Sequence, residues 1–281
     1  MARFAAVLMV ICGATSVYAQ PGNQPPSEPA EPAEPPPPPP AMAPPPSAMP
    51  AQGQPGPASS VDPGVRDDAN AGRGWLSPTA LTEPGGTWSI SDYELFLVSI
   101  GYAVNDQLSI SATTIPPLTE DFPLWLLLSG KVQIAKIGRV RAALQGAVTY
   151  FTSNDSSNDS FTAADLGGAL TLCLDDGCNS HLSGFVGAGF ARDTDSSVPF
   201  LGAATLVARL GRHVKLVGEV DSAFIAGQVN DVADGALIWY GLRFTSSMIG
   251  VDVGFVRPIG VDDSGLVLGI PVLTFSYRNI D

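Results

Sequence analysis

The feature that most constrains this chain is residues 199–225, PFLGAATLVARLGRHVKLVGEVDSAFI, which read as two long strands folded across a short turn. On the first strand Phe200, Ala204, Leu206, Ala208 and Leu210 share one face, and Leu201, Thr205, Val207 and Arg209 share the other. On the second, Val214, Leu216, Val220 and Phe224 alternate with Lys215, Val217, Glu219 and Asp221. Successive strand side chains point to opposite faces, so each strand has one apolar and one mixed, charged face. Matching the apolar faces requires a turn with an odd number of residues. A turn at residues 211–213 brings Phe200 beside Phe224 and sets Arg209 opposite Lys215, an unfavourable pair unless another group compensates. Ten steps of strand cover roughly 33 Å at about 3.3 Å each. Tilted by about 40°, they span roughly 25 Å, the height of the apolar band on an outer-membrane barrel.

Composition favours the same reading. Charged residues make up only 15% of the chain, against about 25% in an ordinary soluble domain. A soluble barrel must coat its outside with charge, and these strands offer little. The net charge of −13 and the lack of a basic cluster exclude nucleic acid as a partner. No apolar run after the first residues is long enough for a membrane helix, so any membrane crossing falls to strands.

Residues 1–19 have the pattern of a secretory signal peptide: Arg3, an apolar core, and Val17-Tyr18-Ala19 as a small-residue cleavage site. Residues 20–74 form a Pro-rich, low-complexity segment expected to be disordered. Residues 75–281 form the barrel. Export leaves Cys173 and Cys178 as an even pair flanking the turn sequence Leu174-Asp175-Asp176-Gly177, so a disulfide across a hairpin is expected. A metal site from Cys173, Asp175, Cys178 and His181 matches no zinc spacing. No metal and no cofactor is expected.

Alternation marks eleven strands, at about 87–103, 107–115, 124–135, 140–151, 162–174, 181–190, 200–210, 214–224, 236–244, 248–256 and 268–278. Single-chain barrels have even strand numbers, so residues 76–81 are read as a short twelfth strand, with ten strands as the alternative. The expected fold is therefore all-β: an antiparallel, up-and-down transmembrane barrel. Connections alternate between tight turns and longer loops, which places the tight turns on the periplasmic side.

Residues 75 to the C-terminus resemble the small, porin-like outer-membrane β-barrel proteins of Gram-negative bacteria. The resemblance is carried by Ser77-Pro78-Thr79-Ala80 before Gly85-Gly86, by Gly101-Tyr102 with Asn105-Asp106-Gln107-Leu108-Ser109, and by Phe275-Ser276-Tyr277-Arg278. It implies a fold and a place in the cell outer membrane, with outer-membrane lipid as partner, and no substrate.

Alternation assigns Lys131, Arg139, Arg141, Asp165, Arg209, Lys215, Glu219, Asp221, Arg243, Asp252 and Arg278 to the lumen, because Lys or Arg on the lipid face costs about 2–4 kcal/mol at the midplane. These charges either line a pore or pair to hold the interior closed. Each longer loop carries paired acids: Glu120 and Asp121, Asp155 and Asp159, Asp193 and Asp195, Asp231 and Asp234, Asp262 and Asp263. Such a rim would attract cations, including divalent ions shared with lipid headgroups. His181 and His213 both fall at tight turns, away from outer-leaflet lipid, and Ser183 near His181 has no evident orienting third group. The expectation is no enzyme, but a narrow passive channel or a structural membrane protein. The alternative is a soluble exported β-rich barrel binding a small apolar ligand. Oligomeric state is not legible.

Overall fold

A computed structural model describes residues 61–94, 97–115, 124–152, 160–191, 199–225, 236–259 and 268–279. Twelve antiparallel strands close into one barrel: β1 (Trp88–Tyr93), β2 (Leu97–Ala103), β3 (Leu108–Thr114), β4 (Leu124–Ile137), β5 (Val140–Thr152), β6 (Ser160–Cys173), β7 (His181–Ala191), β8 (Pro199–Arg209), β9 (Val214–Ile225), β10 (Ala236–Thr245), β11 (Ile249–Pro258) and β12 (Ile270–Arg278). Each strand pairs with its neighbours in sequence, and the seam joins β1 to β12 with Ser89 opposite Arg278. The hairpin of β8 and β9 has the register its sequence demands, with Phe200 opposite Phe224 and Arg209 opposite Lys215.

The strand count is twelve, but one strand is not where the sequence placed it. Residues 76–81 form no barrel strand; they lie inside. The additional strand comes from residues 87–103, which divide into β1 and β2 with Tyr93 opposite Leu97 and a left-handed Glu94 at φ 58°. The turn at 94–96 is odd in length, so alternation continues through it without a break and the sequence reads as one strand.

Connections 104–107, 138–139, 174–180, 210–213 and 246–248 lie at one end, hereafter the tight-turn end. The opposite strand ends, from Tyr93 and Leu97 round to Pro258 and Ile270, form the other end. Gly138, at φ 54°, closes the tightest hairpin, where Ile137 pairs with Val140. At 174–180 the Asp175 carboxylate accepts the N–H groups of Gly177, Asn179 and Ser180 at 3.0, 2.9 and 2.7 Å, and Cys173 and Cys178 form a disulfide with Cα atoms 4.6 Å apart.

The side-chain arrangement is the inverse of a soluble barrel. Val186, Leu170, Leu166 and Ile100 are 68%, 61%, 60% and 57% exposed on the outside, while Arg243, Asp252 and Arg278 are 0% exposed within. Trp88 packs against Tyr277 at 5.5 Å near the tight-turn end, and Tyr240 against Phe255 at 6.0 Å toward the other. Aromatic side chains at both borders of an apolar band suit the two membrane interfaces. This is an outer-membrane-type β-barrel.

Candidate functional site

Residues 61–82 run inside the barrel from the tight-turn end. They begin with Asp62 and a single helical turn, α1 (Pro63–Arg66), started by the fixed φ of Pro63. The chain then forms a small hairpin, with an Arg73–Pro78 bridge, Gly74 N–H donating to the Ser77 carbonyl at 2.8 Å and Thr79 N–H to Gly72 at 3.1 Å. It returns to the tight-turn end, where the Thr82 hydroxyl donates to the Asp106 carbonyl at 2.6 Å. Two contacts admit only glycine. A Cβ on Gly64 would sit 2.5 Å from the Gly177 carbonyl oxygen, and one on Gly74 would sit 1.7 Å from a Glu219 carboxylate oxygen.

Charge holds this segment. Arg141 donates to both Asp62 oxygens at 2.8 Å each, and Lys136 reaches Asp62 at 3.0 Å. Lys215 meets Asp68 at 2.7 Å, which supplies the compensation that its position opposite Arg209 requires. Arg243 grips Asp252 at 2.8 and 3.1 Å and donates to the Asn70 and Gly74 carbonyls at 2.9 and 2.6 Å. Glu219 accepts the N–H groups of Trp75, Leu76 and Ser77 at 2.8, 2.8 and 3.0 Å and the Thr205 hydroxyl at 2.9 Å. Arg278 donates to the Val65 and Arg66 carbonyls at 2.7 and 2.6 Å. Trp75 stacks on Trp239 at 6.3 Å, in a cluster with Val207, Val217, Leu237, Val256 and Val272.

Two carboxyls of the inner segment are tuned by these partners. Burial by itself would push Asp68 up, but the Arg243 and Lys215 charges outweigh it and hold the carboxyl well below the usual range. Burial likewise opposes ionisation at Asp62, and the bonds from Arg141 and Lys136 overcome it.

A cavity of about 350 Å³ lies between the inner hairpin and the inner faces of β1–β9. Its wall is rich in hydroxyls: Ser111 bonds Ser129 at 2.7 Å, Thr113 donates to Ser99 at 2.9 Å, and Ser276 to Ser91 at 2.9 Å. It reaches Tyr93, Leu97 and Thr113, at the ends of their strands remote from the tight turns. At the opposite end of these strands Thr82, Thr87 and Ala103 are buried.

Of the charges assigned to the lumen from sequence, Lys131, Arg141, Lys215, Glu219, Asp221, Arg243, Asp252 and Arg278 meet the inner segment or one another, and Asp165 faces the cavity. Arg139 and Arg209 require correction. Arg139 sits in a turn and pairs with the exposed Asp176 at 2.6 Å, and Arg209 is exposed where β8 ends, its side chain donating to Gly211 at 3.1 Å. Both lie at the tight-turn rim of the barrel, where water solvates them. The paired loop acids from Glu120 to Asp263 and the signal peptide lie outside the described residues.

Sequence reasoning missed Asp62, Asp68, Arg73 and Lys136. The first three follow directly on a Pro-rich run and share its composition. The available signal was the surplus of cations over acids on the inner strand faces. Lys136 was hidden by a bulge in β4 between Gln133 and Ala135. The extra residue reverses the alternation beyond it, so a side chain that strict counting sends to lipid instead turns inward to Asp62. The metal-ligand types that converge among the described residues are Asp62, Cys173 and Cys178, and the two sulfurs are already joined.

No protein-family model matches the chain. No curated protein matches it either. Among solved structures the chain is similar to LpxR from Salmonella typhimurium, at 9% identity and a TM-score of 0.39, over 69% of this chain and 100% of that one. The expectation that this chain is no enzyme does not stand, since the placing of two histidines at tight turns does not exclude chemistry elsewhere on the barrel.

Proposed function

We propose that this is an outer-membrane barrel closed at rest by its own residues 61–82, and that solute passage, the passive-channel role, requires that segment to move. The observation that carries the reading is the set of ion pairs Asp62–Arg141, Asp68–Lys215 and Asp252–Arg243, the first two between the inner segment and the wall, the third holding the Arg243 that grips its backbone. Small barrels are largely filled by their own side chains, and here a covalently attached hairpin adds to the filling. The tight-turn end, where residue 61 enters, is assigned to the periplasm, so the Pro-rich stretch preceding it would belong to that side.

Single-channel recording in planar bilayers tests this. Wild-type protein should insert silently, or with rare brief openings. Deleting residues 62–82 should give sustained conductance. That deletion strips several buried charges of partners, so a milder variant accompanies it: Asp68→Asn, which weakens the hold of Lys215 and should raise opening frequency. A wild-type barrel that conducts continuously, with conductance unaffected by Asp68→Asn, overturns the closed reading.

A further inference from the structure

The stapled turn between β6 and β7 does more than close a hairpin, because the inner segment is seated on it. Gly64 N–H donates to the Gly177 carbonyl at 2.6 Å. A Cβ at Gly64 would lie 2.5, 2.7 and 2.8 Å from the Gly177 oxygen, the Asn179 nitrogen and the Cys178 carbonyl carbon. The first residues of α1 therefore rest backbone against backbone on the turn. The disulfide is buried by the same contact. Cys173 and Cys178 are 2% and 1% exposed, in a cluster with Val65, Ala71 and Leu81 of the inner segment. An Asp62 carboxylate oxygen lies within 4.8 Å of both sulfurs.

Two constraints shape this seat. One is the Asp175 carboxylate with its backbone N–H donors. The other is the disulfide, which joins positions five apart and so restricts the conformations open to the turn. Cys178 depends on the second. Its φ of 58° lies in the left-handed region, which disfavours a residue with a Cβ. Cutting the S–S bond frees Cys178 to relax, and the adjoining Gly177 carbonyl moves off the Gly64 N–H.

We infer that this disulfide is a redox latch on the inner segment: the intact bond keeps the seat, and reduction by a dithiol releases α1. The inference rests on the closed-barrel reading and supplies the control of its plug. The step is thiol–disulfide exchange. One thiolate of the reductant attacks a cysteine sulfur, the Cys173–Cys178 bond breaks and a mixed disulfide forms. The reductant's second thiol then displaces the protein sulfur and closes a disulfide of its own. Two electrons and two protons pass from the dithiol to the protein, which is left with two cysteine thiols. Attack needs access, and the seated segment covers both cysteines, so exchange proceeds from the unseated state. The linkage is reciprocal: unseating exposes the disulfide, and reduction disfavours reseating. A dithiol protein of the Cys-x-x-Cys class on the tight-turn side is the fitting reductant.

Thiol trapping and hydrogen exchange on the full-length protein in detergent test the latch, with dithiothreitol as reductant. Reduction, read by mass on the peptide carrying Cys173 and Cys178, should be at least tenfold slower in the native than in the urea-unfolded protein. It should be at least threefold faster in Asp68→Asn, which loosens the segment from outside the sulfur cluster, and unchanged in Ser111→Ala. Once reduced, the wild type should exchange the amides of residues 61–82 at least tenfold faster than the oxidised protein, with heat-shifted gel migration unaltered. Cys173→Ala with Cys178→Ala should match it; if that pair fails to fold, reduced wild type carries the test. The latch is overturned if native and unfolded protein are reduced at one rate, if Asp68→Asn brings no acceleration, or if exchange at 61–82 is the same with the bond intact and cut. Neither readout is a current. Faster exchange on reduction in a barrel that never conducts would sink the channel reading and leave the latch standing. A barrel opened by Asp68→Asn, with exchange indifferent to reduction, would do the reverse.

Discussion

Two sectors of the barrel wall solve the problem of a polar interior differently. On β1–β3 the inward side chains include Ser89, Ser91, Ser99, Ser109, Ser111 and Thr113, with no charged group. On β9–β12 they include Lys215, Glu219, Asp221, Arg243, Asp252 and Arg278. Hydroxyls can satisfy one another along a wall, as Thr113 and Ser99 do. Buried charges cannot, since moving each out of water costs several kcal/mol unless it is paired and hydrogen-bonded. The charged sector thus recruits residues 61–82, and the hydroxyl sector leaves the cavity.

Breaking the charged sector should have the largest effect. Arg243→Met takes from Asp252 its bidentate partner, leaving Arg73 at 3.7 Å, and removes three bonds to the inner backbone; it should cost about 3–5 kcal/mol, read as a lower urea midpoint for the barrel in detergent. Acid should loosen the ion pairs that hold the inner segment. Asp62 and Asp68 titrate lower in the folded protein than in an unfolded chain, where an aspartate has a pKa of about 3.9. Their stabilisation is therefore complete above that value and is lost as pH falls through the depressed native one. Bilayer recordings should stay quiet from neutral pH to about pH 4, with opening below it.

The hydroxyl sector should respond less. Ser111→Ala removes one hydrogen bond beside the cavity and should cost about 1 kcal/mol without raising conductance. A larger loss would show that this wall also bears on the hairpin. Lys136→Gln should have the smallest effect, about 0.5 kcal/mol or less, because its side chain is 37% exposed and solvent screens it.

Much of the barrel was legible because a period of two, held over long strands with few charges, admits little else. The β8–β9 register followed from parity alone, and the disulfide from two cysteines around a turn sequence. What hid from the alternation was whatever preserves or reverses parity. An odd turn at 94–96 concealed a strand boundary, and one extra residue in β4 concealed Lys136. The inner segment was invisible for another reason. Its backbone N–H and carbonyl groups are satisfied by side chains from distant strands, such as Glu219 and Lys131, so it needs no periodicity of its own. The exclusion of an enzyme rested on where two histidines fall, too narrow a basis for a barrel whose inner faces offer many other groups.

The order of partners along the chain bears on biogenesis. Residues 61–82 precede every strand, yet Arg243, Asp252 and Arg278 belong to the last three. The β1–β12 seam therefore cannot zip over an empty lumen without entombing those groups with their hydrogen bonds to the inner segment unmade. Seating of the leader hairpin and sealing of the cylinder become one cooperative event, and the last strands to be synthesised inspect whether the first residues have arrived.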